Sequence, residues 1–135
     1  MEHKIKNIVF DVGNVLIDFC WEKHCRHLGY SEEIINAFEK YMVNSDCWSM
    51  LDEGTMEESD AIEEFVHRMP QYEKEIRRFW NTSQGFVEEY PYAAPLMDLL
   101  HHKGYRVYLL SNYPLHMYEI HWPTFAFFEK VDGYV

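Results

Sequence analysis

Asp11 and the pair Ser111-Asn112 are the residues of this chain best placed by type and setting to do chemistry. Asp11 closes an apolar run, Ile5 to Phe10 interrupted by Lys6 and Asn7. Gly13 and Asn14 follow, so the chain turns sharply just past the carboxylate. The run reads as a short buried strand. In open α/β sheets, ligands bind beyond the carboxyl ends of the strands. A carboxylate immobilised at such an end can attack an electrophile or hold a hard cation such as Mg²⁺. The plainer reading is that Asp11 caps its own turn, the commonest duty of Asp in this setting. Ser111-Asn112 close a second strand-like run, Tyr105 to Leu110. A hydroxyl and an amide there can both bond a phosphate oxygen, and spacing alone favours the alternative that one of them caps the helix that follows.

A third cluster is Cys20, His24 and His27. These lie four and three residues apart, so a helix puts them on one face, and Cys and His are zinc ligands. No further spaced cluster completes four ligands. An ordinary helix with Trp21, Cys25 and Leu28 inward accounts for the same spacing. His116 and His121 read as surface or packed histidines.

The elements that must carry these residues follow from periodicity. A helix runs from Cys20 to a stop at Gly29. Ser31 is a predicted N-cap, with Glu32 and Glu33 in the first turn and Ile34, Ile35, Phe38, Tyr41 and Met42 at helical spacing. Trp48 and Leu51 lead to a break at Gly54. Thr55 and Glu58 have capping-box spacing before Ile62, Phe65, Val66 and Met69. Pro70 ends that helix, and another covers about Gln71 to Trp80. A helix from Tyr92 to His102, with Leu96, Leu99 and Leu100 inward, stops at Gly104. Leu115 to His121 makes one or two turns before Trp122-Pro123, and Val131 to Val135 opens a third strand. The helices between about 20 and 85 form a small bundle.

The 135 residues suffice for one ordinary domain with a real core, and 47% are apolar, which excludes disorder. Twelve basic against 23 acidic residues give a net charge of −11, the wrong sign for a nucleic-acid partner. The 17% aromatic content is assigned to packing. Three cysteines, Cys20, Cys25 and Cys47, with no C-x-x-C, imply reduced thiols. The start, Met1 to Ile5, has no apolar leader core, and no run approaches a membrane span. The expectation is a cytoplasmic protein with no membrane partner.

Phe10-Asp11-Val12-Gly13-Asn14-Val15-Leu16 resembles the first motif of the haloacid dehalogenase-like (HAD) hydrolase superfamily, in particular the small phosphatase branch whose motif reads D-x-G-N-V-[LI]. Val107-Tyr108-Leu109-Leu110-Ser111-Asn112 resembles its second motif. The order of the two, with a helical insert between them, strengthens the likeness. The resemblance implies an α/β fold: a Rossmann-like parallel sheet, about three strands of it here, with a helical cap inserted after the first strand. The core is expected at 1–19 and 86–135 and the cap at 20–85, with a mobile turn-and-flap at Val15 to Phe19. Leu51 to Thr55 resembles a turn between cap helices, and cap residues such as Trp48 or Trp80 are candidates to touch substrate, with nothing in the sequence to choose among them. It further implies that Asp11 is the nucleophile of a Mg²⁺-dependent phosphomonoester hydrolase. Ser111 and Asn112 hold phosphate, the Asp11 carboxylate and the Gly13 carbonyl bind the metal, and the substrate is a small phosphorylated metabolite. Two alternatives stand beside it: attack of Asp11 on a 2-haloacid, and a truncated remnant that binds phosphate or a partner without turnover.

The sequence departs from the family at two places. Gly13 stands where many family phosphatases carry an acidic general acid and base. The third-motif Lys and the fourth-motif acidic pair have no match: Lys103 and Lys130 precede strands, and Asp132 has no acidic neighbour. The chain is therefore expected to be the N-terminal portion of a longer hydrolase, with one unpaired edge on its first strand.

Overall fold

A computed structural model of the chain describes residues 4–113 and 115–135; Met1 to His3, part of the stretch read for a leader, lie outside the described residues. The chain divides into two compact units. One comprises 1–19, 87–111 and 120–135, and the other 20–86 with 112–119.

The first unit is built on parallel strands β1 (Asn7–Phe10), β4 (Arg106–Leu109) and β5 (Gly133–Tyr134), in the order β1-β4-β5. Phe10 stands opposite Leu109, and Leu109 opposite Tyr134. This is the α/β architecture, with its small parallel sheet, that the sequence implied. β1 is shorter than the apolar run and is not fully buried. Its residues alternate exposed and half-buried, and Val9 is 57% exposed. The reason is that β1 pairs with β4 alone among the described strands. Ile8, Phe10, Val107 and Leu109 share the better-covered face.

Helix α6 (Ala93–His102) belongs to this unit. Ala93 and Met97 are its buried residues. Leu99, expected inward, is 49% exposed. It lies two residues past Met97, about 200° around the helix, and so on the opposite side. Gly104 ends the turn after α6 at φ +90°. Two carboxylates make polar contacts in this unit: Asp98, which takes Lys130 Nζ at 2.9 Å, and Asp132, which accepts the Val107 N–H at 2.7 Å and faces His101 Nε2 at 2.9 Å. The Val107 N–H and His101 hold the Asp132 carboxyl below the usual carboxylate range. A second sheet, unforeseen as strands, pairs β2 (Ile17–Phe19) antiparallel with β3 (Val87–Glu89), so Phe19 faces Val87.

The second unit is helical: α1 (Trp21–His27), α2 (Glu32–Phe38), α3 (Asp46–Glu53), α4 (Glu58–Arg68) and α5 (Glu73–Asn81). Ser31 caps α2, accepting the Ile34 N–H. A π-helical turn, Glu39–Val43, continues α2 and keeps Met42 inward. Ser45 caps α3 by the same means and was not foreseen. The capping box at Thr55 and Glu58 does not form. Thr55 instead donates its hydroxyl to the Met50 carbonyl, closing the turn after Gly54, and Glu57 takes the N-cap position without a side-chain bond. Phe38, Phe65, Phe79, Trp80 and Phe86 make the core, with Phe79 stacked on Phe86 at 4.6 Å. Helix α7 (Leu115–His121) follows in the chain, and its residues 115–119 group with this unit. No helix among the described residues is long and apolar enough to cross a membrane.

Candidate active site

Asp11 lies one residue past the carboxyl end of β1 and is exposed. Ser111 lies two residues past the end of β4. Because the strands are parallel and in register, both residues emerge at the same end of the sheet, where neighbouring strands are ~4.8 Å apart. The Leu110 N–H still donates to the Phe10 carbonyl at 2.9 Å, so the pairing extends up to the Asp11 loop.

The loop is closed by two carbonyls, those of Val12 and Ile17. Val12 is fully buried, and its C=O accepts the N–H groups of Val15 (3.2 Å), Leu16 (2.9 Å) and Ile17 (3.2 Å). Asn14 N–H bonds the Ile17 carbonyl at 2.8 Å. The tight reversal falls on Asn14, at φ +58°, a conformation Asn tolerates better than most residues. Gly13 has no such constraint: its φ is not positive, and a Cβ there would meet nothing within 4 Å. Leu16 and Ile17 plug the loop into the core, leaving Gly13, Asn14 and Val15 outside.

The Val12 N–H donates to Asp11 Oδ1 at 2.7 Å. Asp11 thus partly fulfils its plain role, closing its own turn. That bond fixes the rotamer, and among the described residues Oδ2 has no partner and no cation pairs with the carboxylate. The capping alternative for Ser111 and Asn112 is not realised. α7 starts at Leu115, and neither side chain bonds another described residue. Asn112 groups with the helical unit while Ser111 groups with the core.

The remaining candidates are taken up elsewhere. His24 is buried against Phe79 and Phe86 and bonds Thr82 Oγ1 at 2.8 Å, while His27 is exposed. Thr82 gives its own proton to the Arg78 carbonyl at 2.7 Å, so its oxygen accepts from His24 Nε2–H. Burial, with His27 and Arg78 nearby, pushes the His24 imidazole below its usual range. The zinc alternative at Cys20, His24 and His27 therefore finds no support, and no group of three or more metal-ligating side chains occurs among the described residues. Trp48 and Trp80, two candidates to touch substrate, are buried 5.2 Å apart in the helical core, where Trp80 Nε1 reaches Met42 Sδ at 3.3 Å. His116 is exposed beside Glu58, and His121 is buried.

Two residues bearing on the loop had no sequence signal. Tyr90 N–H donates to the Leu16 carbonyl, and the Tyr92 hydroxyl donates to the Val15 carbonyl across 77 positions. Nothing local in Tyr90-Pro91-Tyr92 announces such partners.

The whole chain matches 63% of a crystal structure of a dehalogenase, with a TM-score of 0.68 and 15% identity. A HAD-family enzyme from Bacteroides thetaiotaomicron, solved with magnesium and inorganic phosphate, matches 97% of the chain over 68% of its own length, with a TM-score of 0.63 and 22% identity. The fold is that of the HAD-like hydrolases. The same HAD-like fold is seen in the L-2-haloacid dehalogenase of Xanthobacter autotrophicus with chloropropionic acid covalently bound, at a TM-score of 0.63 and 17% identity, where 98% of the chain covers 56% of the enzyme. The chain thus spans between 56% and 68% of the length of these HAD-like structures. No family model matches the chain, and no curated protein matches it by sequence.

For Mg²⁺, the chain offers two hard oxygens: the Asp11 carboxylate and the Gly13 carbonyl, which no described N–H engages. Mg²⁺ keeps several waters and is commonly held by one or two carboxylates plus substrate phosphate, so this pair fits the ion.

Proposed function

We propose that the chain is a Mg²⁺-dependent phosphomonoester hydrolase of HAD-like type that works through an aspartyl-phosphate on Asp11. The observation that carries the reading is the pairing, at one end of two adjacent parallel strands, of a carboxylate and a hydroxyl, with Asp11 Oδ2 and Ser111 Oγ each without a partner among the described residues. Asp11 Oδ2 attacks phosphorus while the Val12 N–H holds Oδ1, and the ester P–O bond breaks. The leaving oxygen takes its proton from water, because Gly13 has no side chain to supply one. Water then attacks the acyl phosphate, which frees inorganic phosphate and restores Asp11. Ser111 and Asn112 donate to the non-bridging oxygens. Bound at Asp11 and Gly13, Mg²⁺ supplies positive charge against the two anions. Residues 20–86, inserted between β2 and β3, take the part of a cap. The substrate is a small phosphorylated metabolite, and the compartment is the cytoplasm, in keeping with Cys20, Cys25 and Cys47, none of which is in a disulfide.

A second reading keeps the nucleophile and changes the electrophile. Asp11 attacks the carbon of a 2-haloacid and expels halide, a chemistry supported by the likeness to the enzyme with covalently bound chloropropionic acid. One experiment separates the two: phosphate release from an aryl phosphate and halide release from 2-chloropropionate, each with Mg²⁺ and with a chelator. Phosphate release that the chelator abolishes supports the first reading, and chelator-resistant halide release supports the second. Phosphate binding without either turnover assigns the chain to the non-catalytic remnant.

A further inference from the structure

The Asp11 loop is held from outside by two neighbouring tyrosines, Tyr90 through its backbone N–H and Tyr92 through its hydroxyl. Among the described residues, the one side chain beyond the loop that bonds any of residues 12–16 is Tyr92, whose hydroxyl donates to the Val15 carbonyl. Tyr92 is well mounted for this. Its own carbonyl accepts the Leu96 N–H at 2.9 Å, so it opens α6, whose Ala93 and Met97 are fully buried. Its ring stacks on Tyr90 at 5.5 Å and 13°, and Tyr90 N–H takes the neighbouring Leu16 carbonyl at 2.9 Å. From Val15 the line of hydrogen bonds runs inward. The Val15 N–H donates to the Val12 carbonyl at 3.2 Å, and the Val12 N–H donates to Asp11 Oδ1 at 2.7 Å. Three consecutive bonds therefore join the start of a packed helix to the carboxylate. The bonds internal to the loop fix its curvature. Buried Leu16 and Ile17 and the Tyr90 N–H anchor its C-terminal end, and the Tyr92 hydroxyl adds a hold on the exposed turn itself, at Val15.

We propose that Tyr92 is the positioning residue for Asp11: its hydroxyl, by holding the Val15 carbonyl to the head of α6, orients the Asp11 carboxylate and the Gly13 carbonyl. This rests on the reading of Asp11 as the nucleophile. Tyr92 touches no reacting atom. Its contribution is to keep the loop from sampling orientations in which Oδ2 is misdirected, a cost that falls on the chemical step and not on substrate affinity.

The test is Tyr92→Phe, which keeps the ring stack and removes one hydroxyl. Three quantities are read in the variant and the parent: thermal midpoint, amide hydrogen exchange over residues 13–17, and kcat and KM on an aryl phosphate with Mg²⁺. The midpoint is expected to fall by no more than the few degrees that one net hydrogen bond supplies. Exchange over 13–17 should accelerate, and kcat should fall, roughly three- to tenfold each, the range one net hydrogen bond supplies, with KM unchanged. Exchange at the parent rate removes the tether and overturns the proposal. Faster exchange with unchanged kcat overturns the positioning role. A parent chain that binds no inorganic phosphate with Mg²⁺ and releases none fails the functional reading itself, a result visible without the variant.

Discussion

Two regions of this chain carry a glycine beside a group that can do chemistry, and they are opposites. Around Gly13 the space is open: a Cβ would meet nothing within 4 Å, the adjoining Asp11 is exposed, and one of its oxygens has no partner among the described residues. At Gly85 an added Cβ would fall 2.2 Å from His24 Nδ1 and 2.4 Å from Cε1. The imidazole it would strike is buried, bonded to Thr82 and packed on two phenylalanines. Both groups are short polar side chains in aromatic-rich sequence. What separates them is burial. His24 is packed away with its Nε2 bonded, whereas Asp11 is oriented by one bond and open to solvent.

The contrast can be broken in four places. The largest effect is expected at Asp11→Asn, which should lower turnover by on the order of a thousandfold or more while leaving the melting curve in place. Turnover near the parent rate would reassign the nucleophile. Next is Gly85→Ala. The ring or the backbone must shift to admit the methyl, and overpacking of this kind costs about 1–3 kcal/mol, readable as a lower urea midpoint. An unchanged midpoint would show the His24 pocket to be slack.

The third is a pH dependence. Because the imidazole of His24 is held below its unfolded pKa, the unfolded chain binds more protons. Its contribution to stability is therefore complete above about pH 6.5 and is lost as the pH falls below that value. Stability measured from pH 7.5 down to 5 should fall more steeply in the parent than in His24→Gln, and parallel curves would contradict the assignment. The smallest effect is expected at Gly13→Ala, where space and backbone both permit a methyl. The urea midpoint should correspond to a change within about 0.5 kcal/mol, and a larger loss would mean that the loop is closed in solution.

Much of this was written in the sequence because it is local. Ser31, Gly54 and Gly104 mark helix ends through short-range bonds or a positive φ, and the structure realises each. Asp11 and Ser111 at strand ends followed from two apolar runs and a parallel pairing. What failed to show depends on partners far along the chain. β2 and β3 are three residues each and pair across the whole helical insertion, too short to announce themselves by alternation. The exposure of Val9 reflects the number of neighbours β1 has, which no window of sequence contains. Thr55 had the right spacing for a capping box, yet the preceding carbonyl at Met50 offered its hydroxyl a competing acceptor. Trp48 and Trp80 looked available because nothing in their neighbourhoods declared that they pack on each other.

The pairing of β2 with β3 has a wider consequence. Phe19 faces Val87, and one step further the Cys20 N–H reaches the Phe86 carbonyl at 3.0 Å. The points where the chain leaves for residues 20–86 and returns from them are therefore adjacent, as in a hairpin whose turn has been replaced by a module. A tight turn in place of residues 20–86 would keep the register of β2 and β3, at the cost of the partners of residues 112–119, which group with the helices.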